Sequence, residues 1–166
     1  MAKITLKGKP FETVGELPRV GQQAPEFELV NSDLATVKLS DFRGKKVVLS
    51  LFPSVDTPVC ATGVRSFNQE AASVENSVVL CISCDLPFAH KRFCAAEEIE
   101  NVVTLSAFRN PEFGRSYGIT IKDGPLAGLF SRAVVVVGED GNILHTEQVV
   151  EIADEPDYKK AIEALS

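Results

Sequence analysis

Apolar runs and helix-spaced stretches alternate along this chain. From Lys46 onward, Val47-Val48-Leu49-Ser50-Leu51-Phe52 is almost continuously apolar, the pattern of a strand buried on both faces. Ser77 to Ser83 repeats that pattern. Between them, residues from about 58 to 74 have helical spacing, with Pro58 suited to the first helical position and Thr57 or Asp56 to the N-cap. Strand, helix and strand make a βαβ unit with a parallel connection. Downstream, the pattern predicts a helix from Phe88 to Glu98, a strand from Asn101 to Leu105 and a short helix from Glu112 to Tyr117. Ser131 to Val137 and Asn142 to Val149 flank Glu139-Asp140-Gly141, a strong hairpin signal, and Pro156 to Leu165 reads as a closing helix. Upstream, Ile4-Thr5-Leu6 and Phe11-Glu12-Thr13-Val14, joined through Gly8-Lys9-Pro10, read as a small hairpin within about residues 1–16. Gly21 to Pro25 is a loop, Phe27 to Val30 and Val37 to Leu39 are short strands, and Ser40 to Gly44 is one helical turn ending in glycine. The fold class is α/β.

Length and composition narrow this picture. At 166 residues the chain fits a single domain, 1–166, long enough to bury roughly 70% of its unfolded surface. The net charge of −6 comes with interspersed signs and no basic block, which argues against a nucleic-acid partner. The first residues lack the apolar core of a signal peptide, and no stretch is long enough to span a membrane. A cytoplasmic location is the expectation. Four cysteines in such a compartment point to catalysis, metal binding or burial rather than to a disulfide framework.

The candidate chemistry gathers where the first strand runs into the first helix, at Pro53-Ser54-Val55-Asp56-Thr57-Pro58-Val59-Cys60. That position puts Cys60 in the first turn of a helix at the C-terminal edge of a sheet. Unpaired N–H groups and the positive dipole end collect there and favour a thiolate. An activated thiol at such a point suits redox or nucleophilic chemistry; the alternative is a buried cysteine packed as a small hydrophobe. Thr57, three residues before Cys60, has its hydroxyl on the same side as the sulfur and can donate to it, cap the helix, or do both. Pro53 ends the strand, since it has no N–H to donate.

Pro53, Thr57 and Cys60 form the pattern Pro-x-x-x-Thr-x-x-Cys, which resembles the active site of the peroxiredoxins. The wider string Phe52 to Ala61 looks like their thiol peroxidase branch, the atypical two-cysteine bacterial peroxiredoxins. The resemblance continues through Asp85-Leu86-Pro87-Phe88-Ala89, Arg92-Phe93-Cys94, Ser131-Arg132-Ala133-Val134-Val135 and Glu155-Pro156-Asp157-Tyr158, covering nearly the whole chain. It implies a thioredoxin-like fold with an N-terminal β-hairpin extension, which the order of elements fits. It implies a cofactor-free peroxidase for hydrogen peroxide and organic hydroperoxides, recycled by thioredoxin and assembled as a homodimer. By the same resemblance Cys60 is the peroxidatic thiol and Cys94 the resolving thiol that forms an intrachain disulfide with it. Arg132, which on its own could be a surface charge at a strand edge, corresponds to the active-site arginine, and Pro53 shapes and shields the pocket.

Two features depart from that branch: Cys84 is additional, and Glu98 stands where a glycine is expected. Cys81 and Cys84 also form a Cys-x-x-Cys string, but a three-residue step on a strand sends the side chains to opposite faces, which makes Cys81 a core residue and leaves Cys84 open. Cys81, Cys84, His90 and Cys94 loosely follow a zinc-knuckle order, although the surrounding strand and helix lack its glycine-rich turns. No metal site is therefore expected, and His145 has no Ser or Asp pattern around it that would make a hydrolase triad. The rival functions are a non-enzymatic thiol redox sensor and, further off, a zinc-binding module.

Overall fold

The computed structural model describes residues 1–71 and 74–166. Two strands, β1 (Lys3–Leu6) and β2 (Lys9–Glu12), form a separate N-terminal hairpin. Its turn falls at Lys7-Gly8, both with positive φ (51° and 79°), rather than at Gly8-Lys9-Pro10 as the sequence suggested. This two-residue connection slides β2 toward the N-terminus and places Pro10 opposite Thr5, whose own N–H turns away to the Val150 carbonyl at 2.7 Å.

The remaining strands are β3 (Glu28–Asn31), β4 (Thr36–Lys38), β5 (Lys46–Leu51), β6 (Ser77–Ser83), β7 (Val103–Ser106), β8 (Ala133–Val137) and β9 (Ile143–Gln148). They join in one mixed sheet in the order β4-β3-β7-β6-β5-β8-β9. β5, β6 and β7 are parallel, and the pairs to either side are antiparallel. Near-continuous apolar content puts β5, β6 and β8 at the centre, since a strand buried on both faces must be apolar at every position.

Among the described residues four α-helices cover the sheet: α1 (Pro58–Ala71), α2 (Pro87–Ala96), α3 (Glu112–Ser116) and α4 (Tyr158–Glu163). Val64 and Phe67 of α1, Phe93 of α2 and Ala161 of α4 pack with Val48, Val79, Val134 and Val136 on one face. Phe113 of α3 stacks on the nearby Tyr117, and Phe27 meets both edge-on, against Leu49, Leu80 and Val135 on the other. This is the thioredoxin-like arrangement with an N-terminal hairpin. The expected continuation of α1 through residues 72 and 73 lies outside the described residues, and Val74 sits in a bend. α4 begins two residues later than Pro156 because Asp157 caps it, accepting the Lys160 N–H at 3.1 Å. No described helix is long and apolar enough to cross a membrane.

Candidate active site

β5 ends at Leu51, and the chain leaves the sheet through the buried Phe52 and Pro53. Ser54 to Thr57 then form a turn, closed by the Thr57 N–H to the Ser54 carbonyl at 3.2 Å. Thr57 is the N-cap of α1: its hydroxyl oxygen accepts the Cys60 N–H at 3.3 Å, the N3 donor of a helix whose first residue is proline. The same hydroxyl donates to the Ser54 carbonyl at 3.1 Å. Capping is thus the role this geometry displays. Donation toward sulfur or a bound peroxide requires the hydroxyl hydrogen to swing away from Ser54. Cys60 itself is 1% exposed, set among Phe52, Val55, Val64 and Phe67.

Arg132 lies one residue before β8, beyond the Leu51–Ala133 pairing, at the sheet edge where β5 ends. Strand alternation groups it with Val134 and Val136 on the face that carries α1 and Cys60. It is 5% exposed, and its Nε donates to the Ile152 carbonyl at 2.8 Å. Its two terminal nitrogens make no hydrogen bond among the described residues. Tyr158 packs edge-on against Phe67 of α1, with ring centroids 5.0 Å apart. Burial and the Glu155 carboxylate push its phenol well above the usual range, while the Arg132 charge acts in the opposite sense.

Cys94 is half-buried on α2 and packs against the same apolar cluster as Cys60. Burial raises its thiol pKa, partly offset by the nearby Thr104 hydroxyl of β7. A cleft of about 310 Å³ separates the two helices, with Thr57, Pro58 and Ala61 on one wall and Arg92, Phe93 and Glu97 on the other. Two exposed ion pairs bridge it, Arg92–Asp56 at 3.3 Å and Arg65–Glu97 at 3.0 Å; such surface pairs are weak.

The other two thiols stand apart from this arrangement. Cys81 is fully buried in the cluster between the helices and the sheet, and desolvation keeps it neutral. Cys84 packs on the opposite face, with burial and then the Asp85 carboxylate raising it to about 11. Because they face opposite ways, Cys81 and Cys84 do not share a ligand set with His90 and Cys94. Among the described residues no three His, Cys, Asp or Glu side chains group around a metal-sized space.

Glu98 has a physical explanation. It adopts φ +55°, directly after the C-cap of α2, and the Ile99 N–H reaches back to the Cys94 carbonyl at 2.9 Å. This Schellman turn asks for glycine. An L-residue there costs about 1–2 kcal/mol, against a glycine entropy cost of about 0.5–1 kcal/mol. Glu98→Gly is expected to stabilise the protein by about 0.5–1 kcal/mol, read as a higher urea midpoint at unchanged slope. An unchanged or lower midpoint would remove this account.

Sequence reasoning gave no role to Asp85, which is the most connected polar group near the site. Its carboxylate accepts from Ser54 Oγ at 2.7 Å, the Val55 N–H at 2.9 Å and Ser83 Oγ at 2.5 Å. Burial pushes this carboxyl up, but His90, with its Nε2 3.7 Å away, and the hydrogen bonds from Ser83, Val55 and Ser54 outweigh it and hold the group well below the usual range. The only local signal was an aspartate between a buried strand and the proline that starts a helix.

Comparison with known proteins identifies the family. Residues 19–162 match the Redoxin family. The chain is 58% identical over 165 residues to the thiol peroxidase of Mycobacterium tuberculosis, covering 99% of both. It is 55% identical over 166 residues to the thiol peroxidase of Corynebacterium glutamicum, covering all of both. Among solved structures, a peroxiredoxin-like protein from Aquifex aeolicus superposes with a TM-score of 0.94 at 36% identity, covering 99% of this chain and 96% of that one. A thiol peroxidase from Chromobacterium violaceum, with a TM-score of 0.90 at 22% identity over 98% of this chain and 94% of its own, shares the fold.

Proposed function

The chain belongs to the redoxin family, as a peroxiredoxin-type thiol peroxidase, and from that premise we propose that Cys60 is its peroxidatic residue and Cys94 its resolving residue. The observation that carries the assignment is the capped first turn of α1. It presents a thiol at a helix N-terminus, with a second thiol on the neighbouring helix against the same apolar cluster.

In the first step the Cys60 thiolate attacks one peroxide oxygen. An S–O bond forms, the O–O bond breaks, and the second oxygen takes a proton and leaves as water or an alcohol. Sulfur is oxidised by two electrons and the peroxide reduced by two. Negative charge develops on the departing oxygen. On this reading the terminal nitrogens of Arg132 are the donors that meet it, since Arg132 spends only its Nε on the Ile152 carbonyl. Pro53 is buried and keeps its side of the turn apolar. In the second step the Cys94 sulfur attacks the Cys60 sulfenic acid: an S–S bond forms, the S–O bond breaks and water leaves. A dithiol protein of the thioredoxin type then takes the disulfide by exchange and returns both thiols.

The same reading includes a homodimer and a cytoplasmic setting. Support for the dimer is the exposed apolar group Leu86, Phe88 and Phe108, at 44%, 66% and 68%, around Pro87. The function is tested by peroxide consumption with thioredoxin and its reductase, comparing hydrogen peroxide with a bulky alkyl hydroperoxide. Arg132→Met is expected to slow the second-order attack by on the order of 10²–10³-fold, the usual loss for one preorganised donor. An unchanged stopped-flow rate would remove Arg132 from the site.

A further inference from the structure

Asp85 is tied to the elements of both thiols. On one side its carboxylate holds Ser54 Oγ and the Val55 N–H, two residues of the turn that leads into α1. Ser54 Oγ in turn accepts the Asp56 N–H at 3.1 Å, and the Ser54 carbonyl accepts the Thr57 hydroxyl, whose oxygen accepts the Cys60 N–H. An unbroken hydrogen-bonded path therefore runs from the carboxylate to the Cys60 backbone. On the other side the carboxylate accepts Ser83 Oγ, and Ser83 Oγ lies 2.8 Å from Nε2 of His90. His90 is fully buried on α2, four residues before Cys94 and so on the same side of that helix. With the serine hydrogen committed to Asp85, the pair closes only when Nε2 carries a proton and donates to Ser83.

The disulfide chemistry makes conflicting demands on this region. Attack on peroxide needs the capped first turn of α1 held still. Disulfide formation needs the two Cα atoms within roughly 7 Å and the sulfurs in narrow geometry, and on the cycle proposed above the buried Cys60 meets Cys94 by local unwinding of their helices. We propose that Asp85 is a positioning residue that fixes the compact arrangement: it hastens peroxide attack at Cys60 and delays the opening that lets Cys94 reach the sulfenic acid. This rests on the Cys60–Cys94 cycle proposed above.

The test uses the full chain carrying Asp85→Ala, which leaves three donors unpaired, and separately Ser54→Ala, which removes the Oγ link to the turn and keeps the Val55 N–H link and the interior. Each variant is mixed with hydrogen peroxide and quenched at intervals. Mass spectrometry counts thiol, sulfenic acid, disulfide and sulfinic acid at Cys60. The expected result is a first-step rate at least about tenfold lower, disulfide formation as fast as or faster than in the unsubstituted protein, and less sulfinic acid per turnover. The ratio of the two rates rises at least tenfold in one variant or both. A smaller change in ratio in every folded variant, including a proportional fall of both steps, overturns the inference. Failure of the unsubstituted chain to form a Cys60–Cys94 disulfide is a different result, and it overturns the cycle on which the inference rests.

Discussion

Replacing Cys60 by serine abolishes peroxide turnover and leaves the fold in place. Serine keeps the shape of the side chain at the third position of α1, and the backbone N–H still has the Thr57 hydroxyl as its acceptor. What disappears is the only group near the helix start that can be a nucleophile at neutral pH, since an alcohol lacks the accessible anion of a thiol. The structural cost is small. A hydroxyl takes the place of a sulfur that is 1% exposed among apolar neighbours, a change worth about 1–2 kcal/mol against marginal overall stability. The measurement pairs peroxide consumption, supported by thioredoxin, with thermal unfolding of the same sample. Activity at the buffer level with a cooperative transition is the expected outcome. Substantial turnover by the folded variant would mean that another thiol does the chemistry. Cys84 would then be the first to examine, because it is half-buried where Cys81 is sealed.

Much of the fold is legible in the sequence because its signals are local. β5, β6 and β8 are near-continuous apolar runs, interrupted inside only by Ser50 of β5, and such runs have few alternatives to a buried strand. The elements that moved did so for reasons outside their own pattern. β7 starts at Val103 rather than Asn101 because Asn101 is engaged elsewhere, its N–H bonded to Asn68 Oδ1 at 2.6 Å and its side chain to the Asn68 carbonyl at 3.1 Å. α2 stops at Ala96 because Glu98 leaves the right-handed region. The site divides in the same way. Cys60, Thr57 and Pro53 are neighbours in the chain, and helix-start chemistry alone singles them out. Arg132 and Cys94 reach this region through the sheet order, which no local pattern encodes, so family resemblance had to supply them. Asp85 was quoted in the sequence with no role because its partner Ser54 lies 31 residues away and the bond exists only once β5 and β6 are side by side.

Cys94→Ser separates the two halves of the cycle. The first attack depends on Cys60, Thr57 and Arg132, and Cys94 sits on a different helix, α2, half-buried against the apolar cluster. The rate of sulfenic acid formation is therefore expected to stay within about threefold of the unsubstituted protein. What is lost is a thiol tethered to the same fold, and tethering is worth effective concentrations far above any free thiol, up to about 10⁵ M or more in well-oriented cases. Without it the sulfenic acid persists or proceeds to sulfinic acid, and thioredoxin-supported turnover falls at least about a hundredfold. In the unsubstituted protein, one equivalent of peroxide gives a disulfide within one chain that joins the Cys60 and Cys94 peptides. Non-reducing electrophoresis with peptide mass mapping reads both results. A covalent dimer, or a link from Cys60 to Cys84, would transfer the resolving role elsewhere. The geometry speaks against the second of these: Cys84 packs against the opposite face of the sheet from Cys60, and reaching it would mean breaking the β5–β6 pairing rather than unwinding a turn of helix.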